Sequence, residues 1–295
     1  MTQILGFAGK KTSGKNTSAN FILGNVMKSL NLIEWMRINN NGELEVPAYD
    51  EEHGLREAVI NPEREDVKAW LNESIGFAIR LYSNADSLKQ FCINVLGLTH
   101  KQCYGSNADK DSVTKICWEN MPHVLTPNYC CFMPDETSEE HNCIDDTEKQ
   151  IDEILHQNGV IIHEPGPMTA REVLQQFGTN VCRRLYGNCW VDALIREIRK
   201  TMPALAIVTD CRFPNEVKGI QAAGGKIIRF LRAPHVGEDE HESETALDDY
   251  PLEDFDAVID NREMTIAEQN RAVAAKLEEW EFVTVGKKSL NVATK

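Results

Sequence analysis

The sequence predicts an α/β fold, a parallel sheet flanked by helices with two inserted segments, and three observations predict it. Short apolar runs end in glycine or polar residues, the stretches between them carry helical spacing, and the two kinds alternate along most of the chain. The 295 residues exceed the commonest domain size, and 42% of them are apolar, which is enough for one large core. The whole chain, 1–295, therefore reads as a single domain with insertions at about 31–75 and 118–167 and a loose tail at 286–295.

The run "ILGFAG" (4–9) is apolar and ends in glycines, a strand with its loop. "TSANFILGNVMKSL" (17–30) sets Ala19, Phe21, Ile22, Val26, Met27 and Leu30 near helical spacing. From 31 to 73 the composition turns polar and irregular, with "NNNGE" as a turn, Pro47 and Pro62 as breakers, and one short helix around "REDVKAWLN". "IGFAIRLYS" (75–83) reads as a second strand and "ADSLKQFCINVLG" (85–97) as a helix closed by Gly97. The tract 118–167 is rich in Pro, Cys and acids, holds one helix at 146–159, and is too long for an ordinary connection, so it reads as a lid or an elaborated insertion.

"TAREVLQQFGTNVCRRLYG" (169–187) has Thr169 as a cap, Glu172 to complete a capping box, and Val173, Leu174, Phe177, Val181 and Leu185 at helical spacing. "NCWVDALIREIRK" (188–200) continues as a second helix, and "ALAIVTDCRF" (204–213) is the most strand-like run in the chain. A helix with a glycine stop (215–225), strands at 226–232 and 256–261, and a closing helix at 265–280 complete the alternation.

A net charge of −15 argues against general binding to nucleic acid or to an anionic membrane, and it leaves room for a small anionic substrate where basic residues cluster. Nine cysteines without a framework spacing read as free thiols in a reducing, cytoplasmic compartment. Neither a secretory leader nor an apolar run of membrane-spanning length is expected. "CCFMPDETSEEHNC" offers Cys130, Cys131, His141 and Cys143 as a conceivable zinc set, but adjacent cysteines seldom share one ion, so free thiols are the reading.

Three groups carry chemistry. "GFAGKKTSGKNTSANFI" (6–22) fits the phosphate-loop pattern G-x-x-x-x-G-K-[ST] from Gly9 to Lys15, with Asn16 in the hydroxyl position and Thr17 after it. Backbone N–H groups of 10–16 would wrap a nucleotide phosphate at a helix N-terminus, with Lys15 on the β and γ oxygens. The hydroxyl that holds Mg²⁺ would move one place to Thr17, or Asn16 would contribute through water. "TDCRFPNE" ends a strand in Asp210 and Arg212, where an acid can orient metal-bound water and an arginine can clamp phosphate. Arg171, Arg183 and Arg184 form a cationic group beside Gly178 and Thr179, and on one α-helix Arg171 and Gly178 share a face.

These blocks, with "NADSLKQFCINVLGLTHKQCYG", "WENMP", "GPMTAREVLQQFGTNVCRRLYGNCWVDALI" and "HESETALDDY", resemble the deoxynucleoside monophosphate kinases of tailed bacteriophages over most of the chain. In that family the loop lysine is commonly followed by Asp or Asn and then Thr. The resemblance implies a P-loop fold of the nucleoside monophosphate kinase type and ATP-dependent conversion of deoxynucleoside monophosphates to diphosphates, for phage DNA precursors in the host cytoplasm. It implies ATP binding by Gly9, Lys10, Lys11, Thr12, Ser13, Gly14, Lys15, Asn16 and Thr17, and Mg²⁺ near Thr17 and Asp210. The acceptor would meet Lys89, Arg171, Gly178, Thr179, Trp190, Asp210, Arg212 and Glu216, with Lys15, Arg171, Arg212 and Asp210 catalytic. Ser87 replaces a proline usual before that lysine. Arg229, Arg232, Arg183 and Arg184 are candidates for a lid arginine. The last block is also similar to animal phosphomevalonate kinase, so another phosphorylated acceptor, or a non-catalytic nucleotide-binding module, stays open, as does a homodimer.

Overall fold

The alternation of apolar strand and amphipathic helix builds a five-stranded parallel sheet in a computed structural model that describes residues 2–50, 54–126, 160–233 and 245–282. Along the chain, β1 (Gln3–Ala8) leads through a loop into α1 (Lys15–Ser29), followed by β2 (Arg37–Ile38), β3 (Leu44–Asp50), β4 (Gly54–Ile60), α2 (Glu65–Ser74), β5 (Ile79–Tyr82) and α3 (Asp86–Asn94). Next come α4 (His100–Tyr104), α5 (Asn107–Lys110), β6 (Val113–Cys117), β7 (Val124–Leu125), β8 (Ile161–Ile162), β9 (Pro167–Thr169) and α6 (Ala170–Gln175). The chain continues with α7 (Cys189–Thr201), β10 (Leu205–Cys211), α8 (Pro214–Ala222), β11 (Lys226–Phe230), β12 (Ala257–Ile259) and α9 (Ile266–Glu279). It divides into two compact units, Met1–Ser87 with Trp190–Lys295, and Leu88–Cys189.

In the first unit the strand order is β12-β11-β1-β10-β5, and every neighbouring pair is parallel. Such a sheet is covered on both faces, which is why its strands read as continuous apolar runs rather than alternating ones. Leu5, Phe7, Ile207, Ile228 and Phe230 face a core shared with α1 and α9. Ile4, Ala8, Val208 and Ile227 face a second core shared with α7 and α8. The first loop thus leaves the central strand β1 at its carboxyl end, where open parallel sheets bind ligands.

Residues 31–73 are not irregular, as their composition led one to expect: β2, β3 and β4 form an antiparallel sheet. Pro47, expected to break structure, lies inside β3 opposite Glu57. β2 pairs with β3 only at Ile38 and Arg37, so at Pro47 the strand has a neighbour on one side, where proline is tolerated. The second strand starts later than its apolar run. Ile75 and Ala78 are buried in a turn that ends α2, with Ala78 N–H donating to Ile75 O at 2.8 Å.

In the second unit, Gly97 (φ 75°) ends the α3 segment as expected, and Leu98 N–H donates back to Cys92 O at 3.0 Å. The Thr169 capping box also forms, with the Thr169 side chain accepting from Glu172 N–H at 3.2 Å and Glu172 Oε2 accepting from Thr169 N–H at 2.7 Å. Beyond it the helix does not stay α: Gln176–Arg183 is a π-helix. Gly178 lets this wider turn close on Leu88, since a Cβ there would strike the leucine Cδ2, and Phe177 stacks on Phe91 with ring centroids 5.0 Å apart. The expected helix at 146–159, the cluster Cys130, Cys131, His141 and Cys143, the first residues of "HESETALDDY" and the tail at 286–295 lie outside the described residues. The described cysteines, Cys92, Cys103, Cys117, Cys182, Cys189 and Cys211, are free thiols.

Helix α1 docks on β3 through a glycine: a Cβ on Gly24 would stand 2.5 Å from Met36 Cε and 2.7 Å from Leu44 Cδ1. Propensity alone makes any other helix former better there by up to about 1 kcal/mol. Gly24→Leu is nevertheless expected to destabilise the fold by about 1–3 kcal/mol through overpacking. A lowered denaturant midpoint at unchanged m-value bears this out, and a raised midpoint contradicts the docking.

Candidate active site

The loop between β1 and α1 needs backbone conformations that side chains with a Cβ resist. Gly9 has φ 154°, Thr12 φ 58° and Gly14 φ 98°, and Gly14 caps α1 from the left-handed region. A Cβ on Gly9 would stand 2.5 Å from Ser13 Oγ, and one on Gly14 2.5 Å from Gln269 Oε1. Inside this turn lies Lys15, buried to 8% exposure. Its ammonium donates to Gly9 O at 2.7 Å, to Lys10 O at 2.6 Å and, more weakly, to Ser13 Oγ at 3.4 Å. Burial, reinforced by Arg212 and Arg229 and opposed by Asp210, lowers its pKa to about 7. A buried ammonium with two guanidinium groups in its field gains from an arriving anion, and the exposed Lys11 and Thr12 leave the outer side of the turn open to one.

The loop is held from behind by amides that the sequence reading missed. Asn261 Nδ2 donates to Ser13 O at 2.7 Å and to Gln269 Oε1 at 2.7 Å. Gln269 Nε2 in turn donates to Gly14 O at 2.9 Å and Ser18 Oγ at 2.8 Å, and Ser18 Oγ meets Asn270 Oδ1 at 3.3 Å. All four side chains are buried. The signal was present in α9, where Gln269 stands one and two turns before Val273 and Leu277 on a stripe that is otherwise apolar. Arg232, a lid candidate, braces the same turn by donating to Asn261 O at 2.7 Å and Met264 O at 2.5 Å.

At the neighbouring strand end, Asp210 accepts from Ser83 Oγ at 2.5 Å, Asn84 N–H at 2.7 Å and Ala85 N–H at 3.3 Å, which ties β10 to the turn after β5. Glu216 is buried and its Oε2 accepts from the N–H groups of Arg212 (2.8 Å) and Phe213 (3.2 Å), so that oxygen caps α8. Arg229 is 8% exposed, its Nε has no partner, and its guanidinium lies 5.8 Å from the Phe255 ring centre. Lys10 pairs with Asp248 at 2.5 Å. Asn16 is exposed on the first turn of α1, with Nδ2 3.5 Å from Glu63 Oε1. Thr17 instead turns its Oγ1 against the Gly42 turn, where a Cβ would overlap it. Trp190 is half-buried in the first turn of α7.

The other expected acceptor contacts belong to the second unit. Lys89 Nζ lies 4.3 Å over the Tyr104 ring. Arg171 donates from Nε to Asp111 Oδ1 at 2.7 Å and from Nη2 to Asn107 Oδ1 at 3.2 Å. Gly178 is buried against Leu88, Thr179 and Arg183 are half-buried, and Arg184 is exposed. The spacing that sets Arg171 and Gly178 on one α-helical face runs into the π stretch, so spacing does not align them.

A parallel five-stranded sheet flanked by helices, with a glycine-framed lysine at the end of its central strand, defines an α/β protein of the nucleoside monophosphate kinase type. The family model "Deoxynucleotide monophosphate kinase" matches residues 54–270, and the chain belongs to that family. It is therefore a phosphotransferase that phosphorylates deoxynucleoside monophosphates. The match includes Lys89, Arg171, Trp190, Asp210, Arg212 and Glu216 but begins after the Gly9 to Thr17 loop, whose reading rests on its own geometry. No curated protein matches the chain. Among the described residues there is no group of three or more His, Cys, Asp or Glu that could hold a metal, and no helix long and apolar enough to cross a membrane.

Gln269→Ala is expected to remove one hydrogen bond from each of Asn261 Nδ2, Gly14 O and Ser18 Oγ, destabilising the fold by about 1–3 kcal/mol. It also speeds hydrogen exchange at the start of α1. Wild-type exchange and stability in this variant would mean that the loop does not depend on its amide support.

Proposed function

We propose that ATP is the phosphoryl donor, held by the loop from Gly9 to Thr17, and that the enzyme supplies DNA precursors in the cytoplasm of a phage-infected bacterium. The buried Lys15, turned onto its own loop carbonyls beside Arg212 and Arg229, carries the donor assignment. The residue blocks shared with phage kinases support the biological setting.

The attacking group is the acceptor's phosphate, already anionic near neutral pH, so no general base is needed. What the protein supplies is alignment and neutralisation of charge. Lys15 leaves Gly9 O and Lys10 O for the β and γ oxygens of the donor, and the N–H groups of the first turn of α1 add the helix dipole. Arg212 faces the same charge from the end of β10, and Trp190, in the same unit, is assigned to the acceptor. Divalent-metal sites on nucleotide phosphates use few protein ligands, which fits the lack of an acidic cluster among the described residues. Mg²⁺ would neutralise phosphate charge there, with Asp210 orienting its water. Because Thr17 Oγ1 packs at Gly42 while Asn16 is exposed, Asn16 rather than the Thr17 hydroxyl would hold the metal at this loop.

Coupled ADP-release assays with dAMP, dGMP, dCMP and dTMP test the reading; turnover with ATP is expected, and turnover only with another donor contradicts it. Asn16→Ala is expected to weaken Mg²⁺-ATP use by about tenfold or more, and Thr17→Ala by less. The reverse ranking restores the hydroxyl to the metal.

The Lys15 shift makes nucleotide binding pH-dependent with a definite sign. The free group titrates at about 7, and bound phosphate raises that value, so binding takes up protons above pH 7 and weakens as pH rises further. Calorimetry at about pH 8 in buffers of different ionisation enthalpy is expected to show uptake approaching about one proton, abolished in Lys15→Met. Uptake that persists in Lys15→Met would assign the proton elsewhere.

A further inference from the structure

Asn84 follows β5, and its backbone is fixed by the Asp210 carboxylate, which accepts from the N–H groups of Asn84 at 2.7 Å and Ala85 at 3.3 Å. Its side chain is 3% exposed, yet neither Oδ1 nor Nδ2 has a hydrogen-bond partner. Buried carboxamides are almost always satisfied, because desolvating a donor and an acceptor without replacement is unfavourable. This one sits beyond the carboxyl ends of β5 and β10, where ligands of open parallel sheets bind. An apolar residue would pack there without that cost, so the amide is matched to a ligand that completes it.

We propose that Asn84 reads the base edge of the acceptor nucleotide, an inference that rests on the deoxynucleoside monophosphate reading of the site. A phosphate oxygen only accepts, so it would leave Oδ1 unpaired, and it would lie beside the Asp210 carboxylate. A sugar hydroxyl fills one of the two amide atoms. A nucleobase edge presents a donor next to an acceptor and completes both. Adenine and cytosine offer an amino donor beside a ring nitrogen, whereas guanine and thymine offer a ring N–H beside a carbonyl. A half-turn of the amide exchanges Oδ1 and Nδ2, so the same residue serves either pattern. Asn84 therefore secures a base while tolerating several.

The test is a cycle between residue and base. Values of kcat/KM are measured for dAMP and the purine deoxyriboside monophosphate that lacks the amine, and for dTMP and its N3-methyl analogue. Wild type, Asn84→Leu and Asn84→Ser are compared, with the KM for ATP and the thermal midpoint as controls. Wild type is expected to prefer each natural substrate by about tenfold or more. Asn84→Leu should lose that preference at unchanged KM for ATP, and Asn84→Ser, which folds with a smaller polar side chain, should retain part of it. If both variants keep the wild-type preference while slowing natural and altered substrates alike, Asn84 is structural and the proposal falls. Equal wild-type use of natural and altered bases overturns it too, leaving the sugar hydroxyl as the partner. A wild type that turns over no deoxynucleoside monophosphate overturns the functional reading itself.

Discussion

A lysine ammonium buried at the head of α1 is the constraint around which the first unit is organised. A charge in that position is tolerated only while oxygen atoms surround it, and the protein supplies them from the loop itself, through Gly9 O and Lys10 O. That in turn requires the loop to hold its shape, with backbone angles only glycine adopts easily at Gly9 and Gly14. The shape is kept by amides donating from behind, Asn261 to Ser13 O and Gln269 to Gly14 O. These amides come from the turn after β12 and from the start of α9, late in the sequence, so the lysine-bearing loop depends on the last strand and helix among the described residues.

The acidic residues divide their labour in a way that residue type alone does not reveal. Asp210 stands where a metal-orienting acid is wanted, yet it also holds the turn after β5. Glu216, expected at the acceptor, stands one turn beyond Arg212, and one of its oxygens fixes the backbone that carries Arg212. Both carboxylates position the site, and substituting either would disturb geometry as well as charge. The neutral Asn84, beside Asp210, is left with unmet hydrogen-bonding capacity at both side-chain polar atoms.

The fold was legible in the sequence wherever burial dictated periodicity. The doubly covered strands β1, β10 and β11, the Thr169 capping box and the Gly97 stop all follow from local chemistry. The β2 to β4 sheet was not legible, because its strands are half-exposed and polar and because Pro47 looks like a breaker until its open edge is known. The π stretch was not legible either, since Gly178 and its neighbours keep an α-like apolar pattern while the contact with Leu88 that selects the wider turn is tertiary. For the site, the glycine loop, Lys15, Asp210 and Arg212 could be read from motif and strand end. The amides behind the loop and the unmet Asn84 could not, because their meaning lies in what surrounds them.

The most direct test of a buried loop lysine poised for phosphate is an NMR titration of the Lys15 side-chain carbon next to the ammonium, in the free enzyme and with nucleotide bound. The free group should titrate at about 7, well below its ordinary 10.5, and move upward when nucleotide binds. An ordinary value in the free enzyme that nucleotide leaves unchanged would contradict the arrangement at its centre.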